Sequence, residues 1–213
     1  MALTYLRDPK AIYEASFATV RREADLARFA PDEADVAVRL IHACGMIEIA
    51  SELVISSGFV SRARSAMEAG RPILCDADMV ARGIIKRGRA ARSDVLCTLN
   101  APDIAERASQ LATTRSAAGV DLWAPHISGA IVAIGNAPTA LFRLLELLQD
   151  GWPKPAVICA FPVGFVGAAE SKDALLSGDY DVPHATLPGR RGGSALAAAA
   201  VNAISLGLDG DGR

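Results

Sequence analysis

Four short apolar runs, each followed by a segment with helical spacing, constrain the fold of this chain more than any other feature. The runs occupy residues 72–75, 95–99, 130–134 and 156–160, and each is largely apolar rather than alternating between polar and apolar side chains. Strands that are apolar on both faces are typical of a parallel sheet covered by helices on both sides. The pattern therefore predicts an α/β fold, a three-layer doubly wound parallel sheet.

The first fifty residues predict a helical portion that precedes this sheet. We expect one helix over residues 10–29 and a second helix from Asp32, whose acidic first turn suits the positive end of the helix dipole. A shorter helix is expected over residues 60–69, and a final alanine-rich helix is expected from about Ser194. Because no repeat or linker divides the chain, we predict a single domain over residues 1–213, with the last few residues frayed.

Charge and hydropathy exclude two classes of partner. The formal net charge is −2, whereas a general nucleic-acid binder would carry a basic excess. Residues 122–142 carry no Asp, Glu, Lys or Arg and are long enough to span a bilayer. Pro125, Gly135 and Pro138 nevertheless divide this stretch into a strand, a turn and a helix. We therefore expect neither nucleic acid nor membrane as a partner.

The cysteines and histidines argue against a disulfide framework and a metal site. The four cysteines stand far apart, at positions 44, 75, 97 and 159, and the three histidines have no partner at ligand spacing. Arg7, Asp8 and Lys10 interrupt the apolar run that a secretory signal would need, so a reducing cytoplasm is the expected location. Neither a dinucleotide fingerprint nor a Walker loop is present, which disfavours dinucleotides and triphosphates as ligands.

His42 lies in an apolar stretch where it can act either as a core histidine or as a proton donor. Few other groups in the chain titrate near neutral pH, so proton chemistry would pass through this imidazole. The neighbours expected on its helical face are Asp35, Val38, Arg39, Gly45, Met46 and Ile49. Gly45 costs a helix interior about 1 kcal/mol relative to alanine, and we interpret it as leaving room beside the imidazole.

The turns after the strands are where a ligand is expected, because ligands of such sheets bind beyond the carboxyl ends of the strands. Asp76, Asn136 and the turn at residues 162–165 should therefore converge. The amides around Asn136 can serve as an ordinary helix cap or can hold a carboxylate or phosphate. Two turns also place arginines beside small residues, at Arg115 and at residues 190–191, where they are either solvated or bind carboxylates.

Six blocks taken together resemble the precorrin-8X methylmutase family of cobalamin biosynthesis. The blocks are IHACGM at 41–46, PILCDA at 72–77, TRSAAG at 114–119, VAIGNAPTALF at 132–142, PVGFVGAAESK at 162–172 and GRRGGSA at 189–195. The similarity runs from about Tyr5 to Ile204, which is nearly the whole chain.

This resemblance implies an isomerase that moves a methyl group from C-11 to C-12 of precorrin-8X, giving hydrogenobyrinate, without a cofactor or bound metal. It implies a flavodoxin-like fold and a homodimer with active sites near the subunit interface. The catalytic histidine of the family falls on His42, the proton donor, and its substrate contacts fall on Ser16 and Arg39. Because the tetrapyrrole substrate carries many carboxylates, we add Arg115 and Asn136 as candidate substrate-binding residues.

Two alternatives stay open at this point. One is a cobalt-precorrin-8 methylmutase of the anaerobic route, since a metal held inside the macrocycle needs no protein ligand. The other is a non-catalytic carrier that binds the tetrapyrrole in the same slot.

Overall fold

The four predicted apolar runs form four neighbouring strands of one sheet. The structure is a computed structural model that describes residues 3–208. The strands found in that range are β1 Val54–Ile55, β2 Ile73–Cys75, β3 Val95–Cys97, β4 Ile131–Ile134, β5 Val157–Ala160 and β6 His184–Thr186. Their order in the sheet is β1-β6-β5-β4-β2-β3, and every neighbouring pair is parallel except β1 with β6. The mixed α/β class with a mostly parallel sheet is therefore confirmed, and the antiparallel edge strand β1 is an addition to it.

Helices connect and cover these strands. They are α1 Pro9–Glu23, α2 Pro31–Cys44, α3 Ile49–Glu52, α4 Phe59–Glu68, α5 Asp78–Gly83, α6 Ile104–Gln110, α7 Arg115–Asp121, α8 Pro138–Gln149, α9 Ala168–Ser177 and α10 Ser194–Leu206, with a 3-10 helix at Gly88–Arg92. The expected helical N-terminal portion is present as α1 to α3. The prediction that the first helix reaches residue 29 is wrong, because Asp25 accepts a hydrogen bond from the Ala27 amide and this local turn competes with the helix.

Two hydrophobic cores lie on opposite faces of the sheet. Along β4, Ile131 and Ala133 belong to one core, while Val132 and Ile134 belong to the other, and all four are buried. The first core includes side chains of α1, α2, α4 and α10, and the second includes side chains of α7, α8 and α9. Burial on both faces explains why the strands are apolar throughout, and it confirms the predicted three layers.

The order of the strands indicates the edge of the sheet where a ligand is expected to bind. Strands β3 and β4 lie on opposite sides of β2. After β2 the chain adds β3 on one side of the sheet and then adds β4, β5 and β6 on the other side, so the order of strand addition reverses between β2 and β4. In doubly wound sheets the crevice at such a reversal, beyond the carboxyl ends of the strands, is where ligands bind. Asp76 follows β2 and residues 135–137 follow β4 at this edge.

The predicted frayed end, residues 209–213, lies outside the described residues. Among the described helices, none is both long and apolar enough to cross a bilayer.

Candidate active site

His42 lies near the end of α2, where α1 packs across it. Its Nδ1 atom is 2.8 Å from the Ser16 hydroxyl oxygen. The imidazole also contacts two aromatic rings of α1, with ring centroids 5.4 Å from Tyr13 and 5.1 Å from Phe17. A histidine that contacts a hydroxyl and two rings is oriented from three directions, and one of its partners is the side chain of Ser16.

The Ser16 hydroxyl suits a histidine that changes its protonation state. A hydroxyl both donates and accepts, so it can donate to Nδ1 of a neutral imidazole and accept from the same nitrogen when the ring is protonated. The 2.8 Å contact can therefore persist through a proton transfer and keep the ring in one orientation.

His42 borders a cavity of about 290 Å³ whose walls come from four parts of the chain. The lining residues are Tyr13, Arg39, His42, Ala43, Gly83, Ile85, Ala195, Ala198, Ala199 and Asn202. Half of them are alanine or glycine, because the alanine-rich helix α10 supplies one wall and Gly83 approaches it closely. The result is a mainly apolar slot with a cation and an imidazole at its edge. Sequence reasoning missed Tyr13, although it lies one helical turn before both Ser16 and Phe17.

Arg39 lies one turn before His42 and lines the same cavity, which confirms the predicted shared face. Its side chain is largely buried, at 5% exposure. The guanidinium lies 5.6 Å from the centre of the Phe17 ring and donates a hydrogen bond to the Gly207 carbonyl. The structure therefore ties Arg39 to both α1 and the end of α10.

The interpretation of Gly45 as a helix-interior residue is wrong. Helix α2 ends at Cys44, and Gly45 caps it with a φ of 71°, donating its amide to the Ile41 carbonyl. Left-handed backbone of this kind favours glycine, so the residue is explained by helix termination and not by space beside the imidazole. Met46 and Ile49 consequently do not continue the helical face of His42, which is completed instead by α1 and α10.

Asp76 and the β4–α8 loop converge as predicted. The Asp76 carboxylate accepts hydrogen bonds from the amides of Gly135, Asn136 and Ala137, at 2.9, 2.9 and 2.7 Å. Burial raises the pKa of Asp76, and the three amide bonds offset part of that increase. The sequence left two roles open for these amides, a helix cap or a site for an external anion. The second role is contradicted, because the Asp76 carboxylate already accepts hydrogen bonds from them.

Arg115 and Asn136 form a second group, away from the residues that line the His42 cavity. Arg115 is the first residue of α7, Asn136 lies two residues before α8, and both are exposed. The two helix starts are joined by a 2.7 Å hydrogen bond between the hydroxyls of Thr114 and Thr139. A cation and an amide are thus exposed on two segments whose helix starts are in contact.

The first turn of α10 lies between these two groups. Ala195 lines the His42 cavity, while Ser194 touches the loop at Gly135. A Cβ atom at Gly135 would lie 2.7 Å from the Ser194 Cα and 2.8 Å from the Ala197 Cβ. Glycine is therefore required at residue 135 by close packing, and this packing connects the Asn136 loop to the wall of the cavity.

The turn at residues 162–165 joins the same edge through the loop at residues 189–193. The Gly164 amide donates to the Arg190 carbonyl at 3.2 Å, and the Arg190 guanidinium lies 5.5 Å from the centre of the exposed Phe165 ring. Arg191 instead forms ion pairs with Glu48 and Glu52, so the structure separates the roles of the two neighbouring arginines.

Lys172 is a buried lysine that sequence reasoning did not single out as functional. Its Nζ atom donates to the Arg191 carbonyl at 2.7 Å, and burial lowers the pKa of Lys172 to about 8. The amine thus ties the loop at residues 189–193 to α9. The sequence carries no signal of this contact, because the partner is a backbone atom.

Within residues 3–208, no group of three or more histidine, cysteine or acidic side chains is placed to hold a metal ion. The four cysteines, predicted to be unpaired, are free thiols, with Cys75 and Cys159 buried.

Comparisons with known proteins agree on one family. The family model described as precorrin-8X methylmutase matches residues 11–206. A precorrin-8X methylmutase from Sinorhizobium sp is 56% identical over 201 residues, covering 94% of this chain and 96% of the relative. A cobalt-precorrin-8 methylmutase from Priestia megaterium is 33% identical over 202 residues, covering 94% and 89% of the two chains. The solved structure of a precorrin-8X methylmutase from Thermus thermophilus has a TM-score of 0.84 and 38% identity, and it covers 95% of this chain and 97% of that one.

Proposed function

The chain belongs to the precorrin-8X methylmutase family and is a methyl-shifting isomerase of cobalamin biosynthesis, and we propose that His42 is the acid of its reaction. The family match over residues 11–206 is the evidence for the activity. The proposal for His42 is supported by its place at the edge of an apolar slot, in contact with Ser16, Tyr13 and Phe17.

In the proposed mechanism, the protonated His42 imidazole transfers a proton to the macrocycle. The added positive charge favours migration of the methyl group, in which the bond to C-11 breaks as the bond to C-12 forms. The migrated product then loses a proton back to His42, so the isomerisation leaves no net change in protonation. Histidine suits this step because its ordinary titration range lies nearest to neutral pH. Ser16 holds Nδ1, and the alanine wall of α10 offers a flat apolar surface against which a ring can pack.

The carboxylates of the substrate need donors around the slot. We assign this role to Arg39, which lines the His42 cavity, to Ser16, which contacts His42, and to Arg115 and Asn136 at the carboxyl edge of the sheet. Guanidinium and amide groups are the donors that suit carboxylates best. The first turn of α10 lies between the two groups, so a large macrocycle could contact both.

We also propose a homodimer. A cavity of about 290 Å³ lies at the lower limit for a drug-sized ligand, and a macrocycle with many carboxylates is larger. A second copy of the chain would cover the part of the substrate that this cavity leaves outside. Phe165 and Val166, exposed at 84% and 88%, are apolar side chains that a partner could cover.

Two further assignments belong to the same proposal. The five parallel strands, numbered among themselves, follow the order 2-1-3-4-5, which supports a flavodoxin-like fold. The four free thiols support a reducing, cytoplasmic location.

Replacing His42 with alanine tests the proposed acid. Turnover of precorrin-8X, followed by the change in the visible spectrum, should fall by about 10² to 10⁴-fold, the usual contribution of a positioned acid. The matched control is His126→Ala, since His126 is exposed and precedes β4, at the opposite edge of the sheet. Unchanged turnover in His42→Ala would contradict the role of His42. Binding without turnover in the unaltered protein would favour the carrier.

The same assay distinguishes the two possible substrates. We propose the metal-free precorrin, because the relative named for it is 56% identical and the relative named for the cobalt form is 33% identical. Purified protein is given metal-free and cobalt-loaded precursor in parallel. A clear preference for the cobalt form would reverse this assignment.

A further inference from the structure

We propose that Asp76 is a positioning residue of the methylmutase site, which holds the Asn136 loop and occupies the amides at the start of α8 so that substrate carboxylates are bound by side chains. This inference rests on the proposed function, because it takes Asn136 as a substrate contact. It goes beyond that function by naming the group that places Asn136.

The inference is based on the hydrogen bonds that the Asp76 carboxylate accepts. One carboxylate oxygen accepts from Gly135 and the other accepts from both Asn136 and Ala137, so three consecutive amides converge on one side chain. Asp76 is 3% exposed, whereas the side chain of Asn136 faces solvent. The backbone of the loop is therefore held from beneath while its amide side chain points outwards.

The place of Asp76 in the fold explains why such a group is needed. The amides at a helix start attract anions, and the α8 start lies beside the reversal of strand order where ligands bind. Without Asp76, these three amides would compete with Asn136 for a carboxylate of the substrate. With Asp76 in place, the group that the loop offers to a substrate carboxylate is the Asn136 side chain. The Thr114–Thr139 hydrogen bond joins the start of α8 to the start of α7, so a substrate carboxylate can also meet Arg115.

Packing makes the loop position matter for the rest of the site. Gly135 leaves no space for a side chain against Ser194 and Ala197, so the loop cannot shift towards α10. A loop released by Asp76 can move only away from α10, and this movement would carry Asn136 away from the cavity wall formed by Ala195.

The test compares Asp76→Asn, Asn136→Ala and the double variant, using kcat and KM for precorrin-8X. Asp76→Asn keeps one acceptor oxygen but places an amino group against donor amides. We expect Asp76→Asn and Asn136→Ala each to raise KM about tenfold with kcat within about twofold, and the double variant to be no worse than either. The matched control is Asp181→Asn, because Asp181 is an exposed carboxylate bonded to Lys154 just before β6, at the opposite edge of the sheet.

A rescue experiment separates positioning from general damage to the fold. Asp76→Ala leaves a space of carboxylate size beside three amides, and its folding is checked by circular dichroism. Added formate should lower the KM of Asp76→Ala several-fold, while formamide should not, and formate should not lower the KM of Asp76→Ala/Asn136→Ala. If Asp76→Ala does not fold, the Asp76→Asn series decides the question alone.

Three results would overturn the inference: a fall in kcat without a change in KM, effects that multiply in the double variant, or an unchanged KM in Asn136→Ala. The last result would also remove Asn136 from the substrate site. None of these results tests the role proposed for His42, which would be contradicted instead by unchanged turnover in His42→Ala. The two proposals therefore fail separately.

Discussion

Removing the Ser16 hydroxyl is expected to slow the reaction while leaving the fold almost unchanged. Ser16→Ala deletes the hydroxyl that makes the 2.8 Å contact to His42 Nδ1. A neutral hydrogen bond contributes about 1 kcal/mol net, and about 1.4 kcal/mol is a factor of ten in rate. If the contact orients the ring for proton transfer, kcat should fall about fivefold, which is far less than the loss expected for His42→Ala.

The free energy of unfolding should change little in the same variant. Serine is the weaker helix former, and alanine in α1 recovers up to about 0.7 kcal/mol of the lost hydrogen bond. The two terms offset each other to within about 1 kcal/mol, so Tm should stay within about 4 °C of the unaltered protein. Activity and stability are thus expected to separate, and that separation is what distinguishes an orienting contact from a structural one.

The assay is steady-state turnover of precorrin-8X beside thermal unfolding by circular dichroism. Ser177→Ala is the matched control, because its hydroxyl also makes a 2.8 Å hydrogen bond, to the Asp173 carbonyl, in the exposed last turn of α9. Its kcat should be unchanged. The reasoning is refuted if Ser16→Ala retains full kcat, or if it loses as much activity as His42→Ala.

Two further predictions concern stability. Gly135→Ala should lower the free energy of unfolding by about 1–3 kcal/mol, because its Cβ would lie 2.7 Å from the Ser194 Cα; urea unfolding measures this, and an unchanged midpoint would contradict the packing argument. Lys172 has a pKa of about 8 in the folded protein, below its ordinary 10.5. The unfolded chain therefore binds more protons between these values, and the contribution of Lys172 to stability rises with pH across that window. Relative to Lys172→Met, the unaltered protein should gain about 2 kcal/mol between pH 7 and pH 10, and parallel pH profiles would contradict the assignment.

Local patterns determined the sheet and most of the helices. The four apolar runs became β2 to β5. Strands β2, β4 and β5 are buried on both faces, and β3 is a half-buried edge strand that contacts both cores, so all four are apolar along their length. Proline and glycine marked several boundaries, and the helix expected after the turn at Gly135 begins at Pro138. Strand β1 was missed because it has only two residues, and β6 was missed because it carries His184 and Thr186 and so forms no apolar run. The start of α7 was missed for a similar reason, since the helix has only seven residues.

The sequence also determined which turns would meet. Parallel strands end at one edge of a sheet, so Asp76 and the loop after β4 had to lie close together once the strands were recognised. The identity of the contact was not accessible from the sequence. A carboxylate that accepts from three amides 59 to 61 residues away cannot be distinguished by pattern from one that waits for a ligand or faces solvent.

Only the tertiary structure decided what surrounds His42. Helical spacing correctly placed Arg39 beside it, but it extended the face to Met46 and Ile49 across Gly45, where the chain leaves the helix. The groups that hold and border the imidazole come from α1 and α10, up to about 160 residues away in the chain. Periodicity describes one helix at a time, whereas a site formed where helices cross depends on how their side chains pack, and packing is a property of the whole fold.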